Sequence, residues 1–441
     1  MTVDARDHLE NVVLPWWDRE AADDARGGVF TCFDNRGRLL SQDKLTWSQG
    51  RWAWLCAELS LDAESGNLSV DPELWAARSN ATAGFVRNHA LRPDGSTRFR
   101  VAGDGAAPAE PGNAEPRSGE PGNAEPRSGE PGNAEPRSAE RMNEESVFAD
   151  LFAALGLAGA AGLPGPDDGH RASLRADAAA ILASAHARIS AGTAQTEPYP
   201  VPAGFTDLAS PMLLLHVASE AQRAGVAGAR EVAAAAHELL VGRRGMLGPG
   251  RWWEYRPSGL ADEDTLVARH VTPGHLLELA WMLVHAERVD RSLAAPGWLP
   301  DLALAALECG WDAEHGGMLR YADRAGGRPE GRSLPGDRYE ALVRETWSTK
   351  LWWVHVEALY AARLFAETTG DPRFARWAER LADYTFATFP DPEGREWIQI
   401  RDRAGGPLDA VVALPVKDPF HIARALLLLN RLDANASATL R

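Results

Sequence analysis

Two histidines sit in matching local contexts far apart in the chain. Thr272-Pro273-Gly274-His275 and Asp418-Pro419-Phe420-His421 each read as a capping residue, a proline at the first helical position and a histidine in the first turn, followed by apolar residues at helical spacing. In a first turn the free backbone N–H groups and the helix dipole disfavour imidazolium. Both imidazoles are therefore expected to be neutral near neutral pH and able to act as general bases. Glu278 follows His275 by three residues and shares its face. Arg51 lies among large apolar residues in Trp47-Ser48-Gln49-Gly50-Arg51-Trp52, either as a snorkelling surface residue or as a guanidinium aimed at a ligand oxygen. Trp353, Glu357 and Tyr360 share one helix face, and Trp353 with Glu357 forms an aromatic–carboxylate pair suited to a sugar. His355 reads as a structural histidine. A His275–Glu278 metal site is the weaker alternative, because no His-Glu-x-x-His pattern is present.

The elements that would carry these residues are helices. Helical patterns run from residue 10 to 20, Trp47 to Leu59, Leu74 to Ala90, Ser146 to Leu157, Ser173 to Ile189, Pro211 to Ala224, Ala229 to Val241, His275 to Arg288, Leu302 to Cys309, Trp347 to Ala366, Ala375 to Phe389 and Asp418 to Leu432. Thr97–Val101 reads as a strand, Trp252–Tyr255 as a short extended piece, and Gly27–Arg38 and Trp311–Tyr321 as two hairpins of one type. About a dozen successive helices imply an all-α fold, with helical hairpins closing as a double-layered toroid over residues 1–441 as a single domain. Residues 104–141 are a low-complexity insert in which a Pro-, Gly- and Glu-rich unit recurs every ten residues. Such a segment buries too little apolar surface to order itself and is expected to be a disordered loop.

Composition narrows the function. The formal net charge of -16 disfavours nucleic acid and anionic membranes as partners. No apolar run is long enough to span a bilayer, and the first ten residues lack an apolar signal core. Three cysteines, Cys32, Cys56 and Cys309, form no Cys-x-x-Cys pair, which fits a reducing cytoplasm. No phosphate-binding loop or dinucleotide fingerprint is evident, so no cofactor is expected. The sixteen tryptophans exceed what a site needs; most are expected in the core and a few against a ligand.

Several motifs, in order along nearly the whole chain except the insert, resemble the N-acylglucosamine 2-epimerases. They are Gly27-Gly28-Val29-Phe30-Thr31-Cys32, Lys44 with Trp47-Ser48-Gln49-Gly50-Arg51, Pro273-Gly274-His275 with Glu278 and Trp281, Gly310-Trp311-Asp312 with His315-Gly316-Gly317, Lys350-Leu351-Trp352-Trp353 with His355 and Glu357, Glu396-Trp397, and Lys417 with Phe420-His421 and Arg424. Cellobiose 2-epimerases and mannose isomerases are relatives of that family. The resemblance implies an (α/α)6 barrel and a free monosaccharide substrate, of glucose/mannose or N-acetylglucosamine/N-acetylmannosamine type. It implies His275 and His421 as the acid/base pair, Arg51 as an essential arginine, Glu278 as the carboxylate supporting His275, and Trp353, Glu357 and Trp281 as pocket residues. The implied chemistry removes and returns a proton at C2 through an enediolate, with return at C1 giving a ketose instead, and needs no metal or redox cofactor.

Two positions depart from the relatives. Where cellobiose epimerases and mannose isomerases carry Asn-x-x-x-His, this chain has Met212 and His216, which keeps the histidine as a substrate-binding candidate. Val416 replaces the tryptophan that precedes the lysine of the last motif in cellobiose epimerases. The competing readings are an inverting glycoside hydrolase using carboxylates such as Glu278 and Glu357, and a non-catalytic sugar-binding protein. Nucleotide activation is left open. So is the assembly state, a homodimer being one expectation.

Overall fold

The computed structural model describes residues 4–106, 145–165, 167–259, 262–409 and 417–439. Beyond residue 106 the expected insert lies outside them, as does Val416. The helices, in chain order, are α1 (Ala5–His8), α2 (Leu14–Glu20), α3 (Thr46–Glu64), α4 (Pro72–Phe85), α5 (Val147–Gly162), α6 (Asp168–Ser190), α7 (Ala209–Arg223), α8 (Ala229–Val241), α9 (Leu266–Arg269), α10 (Pro273–Val289), α11 (Leu299–Gly310), α12 (Arg338–Thr346), α13 (Trp352–Thr369), α14 (Pro372–Thr388) and α15 (Pro419–Thr439).

Two kinds of sequence separate into two layers. α5 is apolar all round, and nearly every residue from Val147 to Ala161 is buried; α3, α7, α10 and α13 are buried on most sides as well. By contrast α6 buries one stripe (Leu174, Ala178, Ile181, Leu182, Ala185), and α14 buries Phe374, Ala378, Leu381 and Thr385. The first kind forms a closed inner ring in which α3, α5, α7, α10, α13 and α15 each pack on the next and α15 returns to α3. The second kind lies outside: α4, α6, α8, α11 and α14 each pack on the inner helix that precedes them, and α1 packs on α15. This is an (α/α)6 barrel. Two outer helices open on an aspartate whose side chain accepts backbone N–H bonds, with proline next, at Asp71-Pro72 and Asp371-Pro372. No described helix is long and apolar enough to cross a membrane, and all three cysteines are free.

A repeated backbone link sets the register of the ring. Just ahead of an inner helix, a short extended segment pairs with the loop behind the next outer helix. The antiparallel pairs are Lys44–Leu45 with Arg100–Val101, Phe205–Asp207 with Tyr255–Pro257, His270–Val271 with Ala322–Asp323, and Lys350–Leu351 with Ile400–Arg401. Ser146 bridges Thr196 in the same way, and the Lys417 N–H donates to the Thr31 carbonyl at 2.7 Å. The inner helices therefore begin at one common end of the barrel.

That link also corrects the expected second hairpin. Cys32–Phe33 does pair with Leu39–Ser41, but Trp311 meets Met318 through a single bridge, and the chain beyond it pairs with His270–Val271 instead. Of the expected strand at Thr97–Val101 only Arg100–Val101 is a strand. Helices α9 and α12 lie in loops whose short length left no readable period.

Where α3 crosses α5 the backbones touch through glycines. A Cβ on Gly50 would sit 1.9 Å from the Phe152 carbonyl oxygen, and one on Gly156 would sit 2.7 Å from the Gly50 oxygen. Alanine improves helix propensity by about 1 kcal/mol, but the backbone clash outweighs it. Gly50→Ala is expected to destabilise the protein by about 1–3 kcal/mol, read as a lowered urea midpoint. An unchanged midpoint would mean that the two helices do not cross here.

Candidate active site

A cavity of about 190 Å³ opens at the end where the inner helices begin. Its wall draws on the first two turns of those helices: Trp47 and Arg51 from α3, Met212 from α7, His275 and Glu278 from α10, Trp353 from α13 and His421 from α15. Trp353 lies near both histidines. Its ring centroid is 5.2 Å from that of His275 and 5.7 Å from that of His421, tilted 32° and 41°. Gly274 is required beside it, since a Cβ there would meet the Trp353 ring at 2.7 Å.

The two imidazoles are held by different carboxylates. His421 Nδ1 lies 2.8 Å from Glu357 Oε1, and Glu357 also accepts bonds from Trp281 Nε1 at 2.8 Å and Arg424 Nη2 at 2.6 Å. Glu357 is thus an acceptor, so His421 donates its Nδ1–H and leaves the Nε2 lone pair free. Arg424 Nη2 approaches the same nitrogen at 3.3 Å, a longer contact that the carboxylate overrides. Burial, aided by the charges of Arg51 and Arg424 and opposed by Asp418 and Glu278, pulls the His421 pKa down to about 3. His421 is held neutral, as its sequence context implied.

His275 behaves otherwise. Its Nδ1 lies 2.7 Å from Glu254 Oε1, a carboxylate in the loop behind α8 that is 2 % exposed. Burial alone would lower the His275 pKa, but the charge and hydrogen bond of Glu254, with the charges of Glu278 and Asp207, raise it above the ordinary value of 6.5. The expectation of a neutral His275 is corrected: the helix-terminus field is worth about 0.3–1 kcal/mol, less than a hydrogen-bonded carboxylate in a buried setting.

Other expected residues take different places. Glu278 lines the cavity, but its hydrogen bond goes to Arg424 Nη2 at 2.5 Å and not to His275, whose direct support is Glu254. Glu357 and Trp281 are 1 % exposed and stand behind His421, outside the cavity wall. His216 faces a second cavity at the far end of the barrel, against the Trp54 and Trp281 rings, with its pKa well below the ordinary value through burial and the nearby Arg424 charge. His216 and Trp281 are therefore not pocket residues of the first cavity, where Met212 and Leu213 occupy the α7 wall. Arg51 is in the wall, with Nη1 2.8 Å from Asp418 Oδ2 and its guanidinium 4.0 Å from the Phe152 ring centroid. Asp418 also caps α15 through Phe420 N. His355 is structural as expected: Nδ1 meets the Leu351 carbonyl at 2.7 Å and Nε2 accepts from Met318 N at 2.8 Å.

Two of the alternatives can be tested on this geometry. Glu278, Glu357 and His421 bring three ligand atoms within 4.8 Å of one another, but the Arg424 guanidinium already bonds both carboxylates there. The same closeness places Glu278 and Glu357 side by side, short of the about 6.5–9.5 Å separation that an inverting hydrolase uses. Residues that the sequence did not single out are Glu254, Arg320, Tyr199, Tyr255, Tyr321 and Tyr339, all in the cavity wall. Their only signal was a glutamate between aromatic residues in Trp252-Trp253-Glu254-Tyr255.

Comparison with known proteins gives one consistent answer. The family model for N-acylglucosamine 2-epimerase (GlcNAc 2-epimerase) matches residues 210–425. The N-acylglucosamine 2-epimerase of Bos taurus is 28 % identical over 423 residues, covering 95 % of this chain and 87 % of that protein. Among solved structures, a D-mannose isomerase superimposes with a TM-score of 0.69 at 14 % identity, covering 97 % of each chain. The cellobiose 2-epimerase from Bacillus thermoamylovorans gives 0.68 at 15 %, covering 97 % of this chain and 98 % of that one. At these identities the two structures show a shared fold.

The unlike surroundings of the two histidines predict unlike titrations. By NMR of ring-labelled protein, His421 should stay neutral from about pH 8 to about pH 5, while His275 titrates with a midpoint above 6.5. Two coincident midpoints near 6.5 would contradict the assigned environments.

Proposed function

We propose that this chain, which is similar to the N-acylglucosamine 2-epimerases over nearly its whole length, moves a proton at C2 of a free aldose bound between His275 and His421. The observation that carries the reading is the pair of imidazoles that both lie near Trp353 in one cavity, with the His421 pKa pulled down and the His275 pKa raised.

The reaction follows from that pair. His421 Nε2 takes the C2 proton of the open-chain sugar. The C–H electron pair becomes the C1–C2 double bond, and the carbonyl oxygen becomes an enediolate oxygen. Arg51, fixed by Asp418, supplies positive charge to that oxygen. His275 then gives its proton to C2 from the opposite side, the double bond's electrons take it up, and the C1 carbonyl reforms. Charge has moved from His275 to His421, so the reverse direction starts from the other one-proton state of the pair. Delivery to C1 instead of C2 gives the ketose, the aldose–ketose isomerase outcome. No electrons leave the substrate, so the step calls for no redox cofactor. Trp353 offers the sugar an aromatic face.

Two measurements test this. In D₂O with mannose or N-acetylmannosamine, wild type is expected to place deuterium at C2, with NMR of the products separating epimer from ketose. His421→Gln and His275→Gln are each expected to lose about 10²–10⁴-fold in turnover while staying folded. Full exchange in either variant would refute the assignment. In pH profiles, kcat/KM should fall as pH rises through the His275 pKa, where its proton is lost. Glu254→Gln removes the charge that holds that pKa up, so this alkaline limb should move to lower pH. An unmoved limb would place the acid elsewhere.

A further inference from the structure

Among the described residues, every other charged residue of the cavity wall touches a group of opposite charge; Arg320 does not. Glu254 faces His275, Asp418 faces Arg51, and Glu278 faces Arg424. Arg320 lines the same cavity and is only 3 % exposed, yet among the described residues no carboxylate pairs with it. Its guanidinium lies 4.9 Å from the Tyr321 ring centroid, and the groups acting on it most strongly are the Tyr321 and Tyr199 phenols. Its backbone is pinned, with its N–H on the Thr349 carbonyl at 3.1 Å.

A buried cation without a counter-charge is costly, and a protein retains one where something else supplies the charge. The phenols do not supply it. Burial pushes the Tyr199 pKa up to about 12, so that hydroxyl stays neutral. A neutral phenol beside a guanidinium turns its oxygen lone pair to that charge and keeps its O–H to donate. Arg320, Tyr199 and Tyr321 together therefore turn N–H and O–H donors toward the cavity. Tyr339 is occupied elsewhere, with its hydroxyl 3.1 Å from His270 Nε2. A group that only accepts hydrogen bonds and carries negative charge completes this arrangement, and a guanidinium fork suits a carboxylate or a phosphate.

We propose that Arg320, with Tyr199 and Tyr321, is a specificity-determining subsite for an anionic substituent, so that the preferred aldose carries a carboxylate or a phosphate ester. The inference rests on the reading of this cavity as an aldose site. It differs from that reading in requiring a charged substrate. A neutral hydroxyl or an N-acyl carbonyl would leave the Arg320 charge unmatched.

The test uses the full chain and four sugars: D-mannose, N-acetyl-D-mannosamine, D-mannuronate and D-mannose 6-phosphate. C2 deuterium exchange gives kcat/KM for wild type, Arg320→Met, Arg320→Lys and Tyr199→Phe. In wild type one of the two anionic sugars is expected to exceed both neutral ones by at least about tenfold, and which one it is separates a carboxylate from a phosphate site. In Arg320→Met the anionic-to-neutral ratio should fall to about one, with the loss mainly in KM; Arg320→Lys should keep part of it and Tyr199→Phe should lower it less. Arg320→Lys and Tyr199→Phe carry the test if Arg320→Met does not fold. Wild-type exchange on neutral sugars without anionic preference, or a uniform loss on all four sugars in Arg320→Met, would overturn the subsite and leave the aldose reading standing. Exchange on none of the four would overturn both.

Discussion

A single guanidinium nitrogen, Arg424 Nη2, bonds Glu278 at 2.5 Å and Glu357 at 2.6 Å, and so ties α15 to α10 and α13 beneath the cavity floor. The network is fully buried: Arg424 is 1 % exposed, and Glu357 likewise. Removing Arg424 would leave two carboxylates without their cation in a dry place, a loss of about 3–5 kcal/mol. The reach of this knot extends to the chemistry. Glu357 accepts from Arg424, Trp281 and His421 at once, so its position decides which nitrogen of His421 keeps the proton. The barrel's closure and the protonation of His421 therefore depend on the same atoms.

The two histidines show how little a local motif fixes. Both follow a proline in the first turn of an inner helix, so both feel the same helix-terminus field. They differ in what surrounds the carboxylate that each one meets. Glu357 is shared with Arg424, and the arginine's charge offsets its own, so burial dominates and His421 stays neutral. Among the described residues Glu254 pairs with no arginine or lysine, and its ion pair is with His275. Its charge acts undiluted on His275 and overcomes burial. Proton transfer across a carbon needs one group ready to take and one ready to give, and this asymmetry provides both.

The helices and the first-turn histidines were legible in the sequence because burial imposes a period on the chain. Their depth in the barrel was not. A shared helix face says nothing about distance along the axis, and that distance decides what lines the cavity. Trp281 is six residues beyond His275, about 9 Å deeper at the helical rise, and falls below the floor; His216 is comparably deep in α7 and meets the second cavity. Glu254 and Arg320 were illegible for another reason. They come from loops that follow outer helices and reach the site only through two- and three-residue pairings with segments far away in sequence, such as Asp207 with Tyr255 and Val271 with Ala322. No periodicity marks so short a pairing. The resemblance to known epimerases supplied the motifs on the helices, and the loops supplied the partners that decide charge.

The central claim is that one sugar carbon lies within reach of both imidazoles at the same time. A crystal structure with an unreactive open-chain sugar alcohol, mannitol or glucitol, in the cavity tests this most directly. The account predicts C2 about 3–3.5 Å from the Nε2 atoms of His275 and His421, on opposite sides of the carbon, with the chain lying against Trp353. A ligand ordered in the cavity with C2 near one imidazole and out of reach of the other would contradict it.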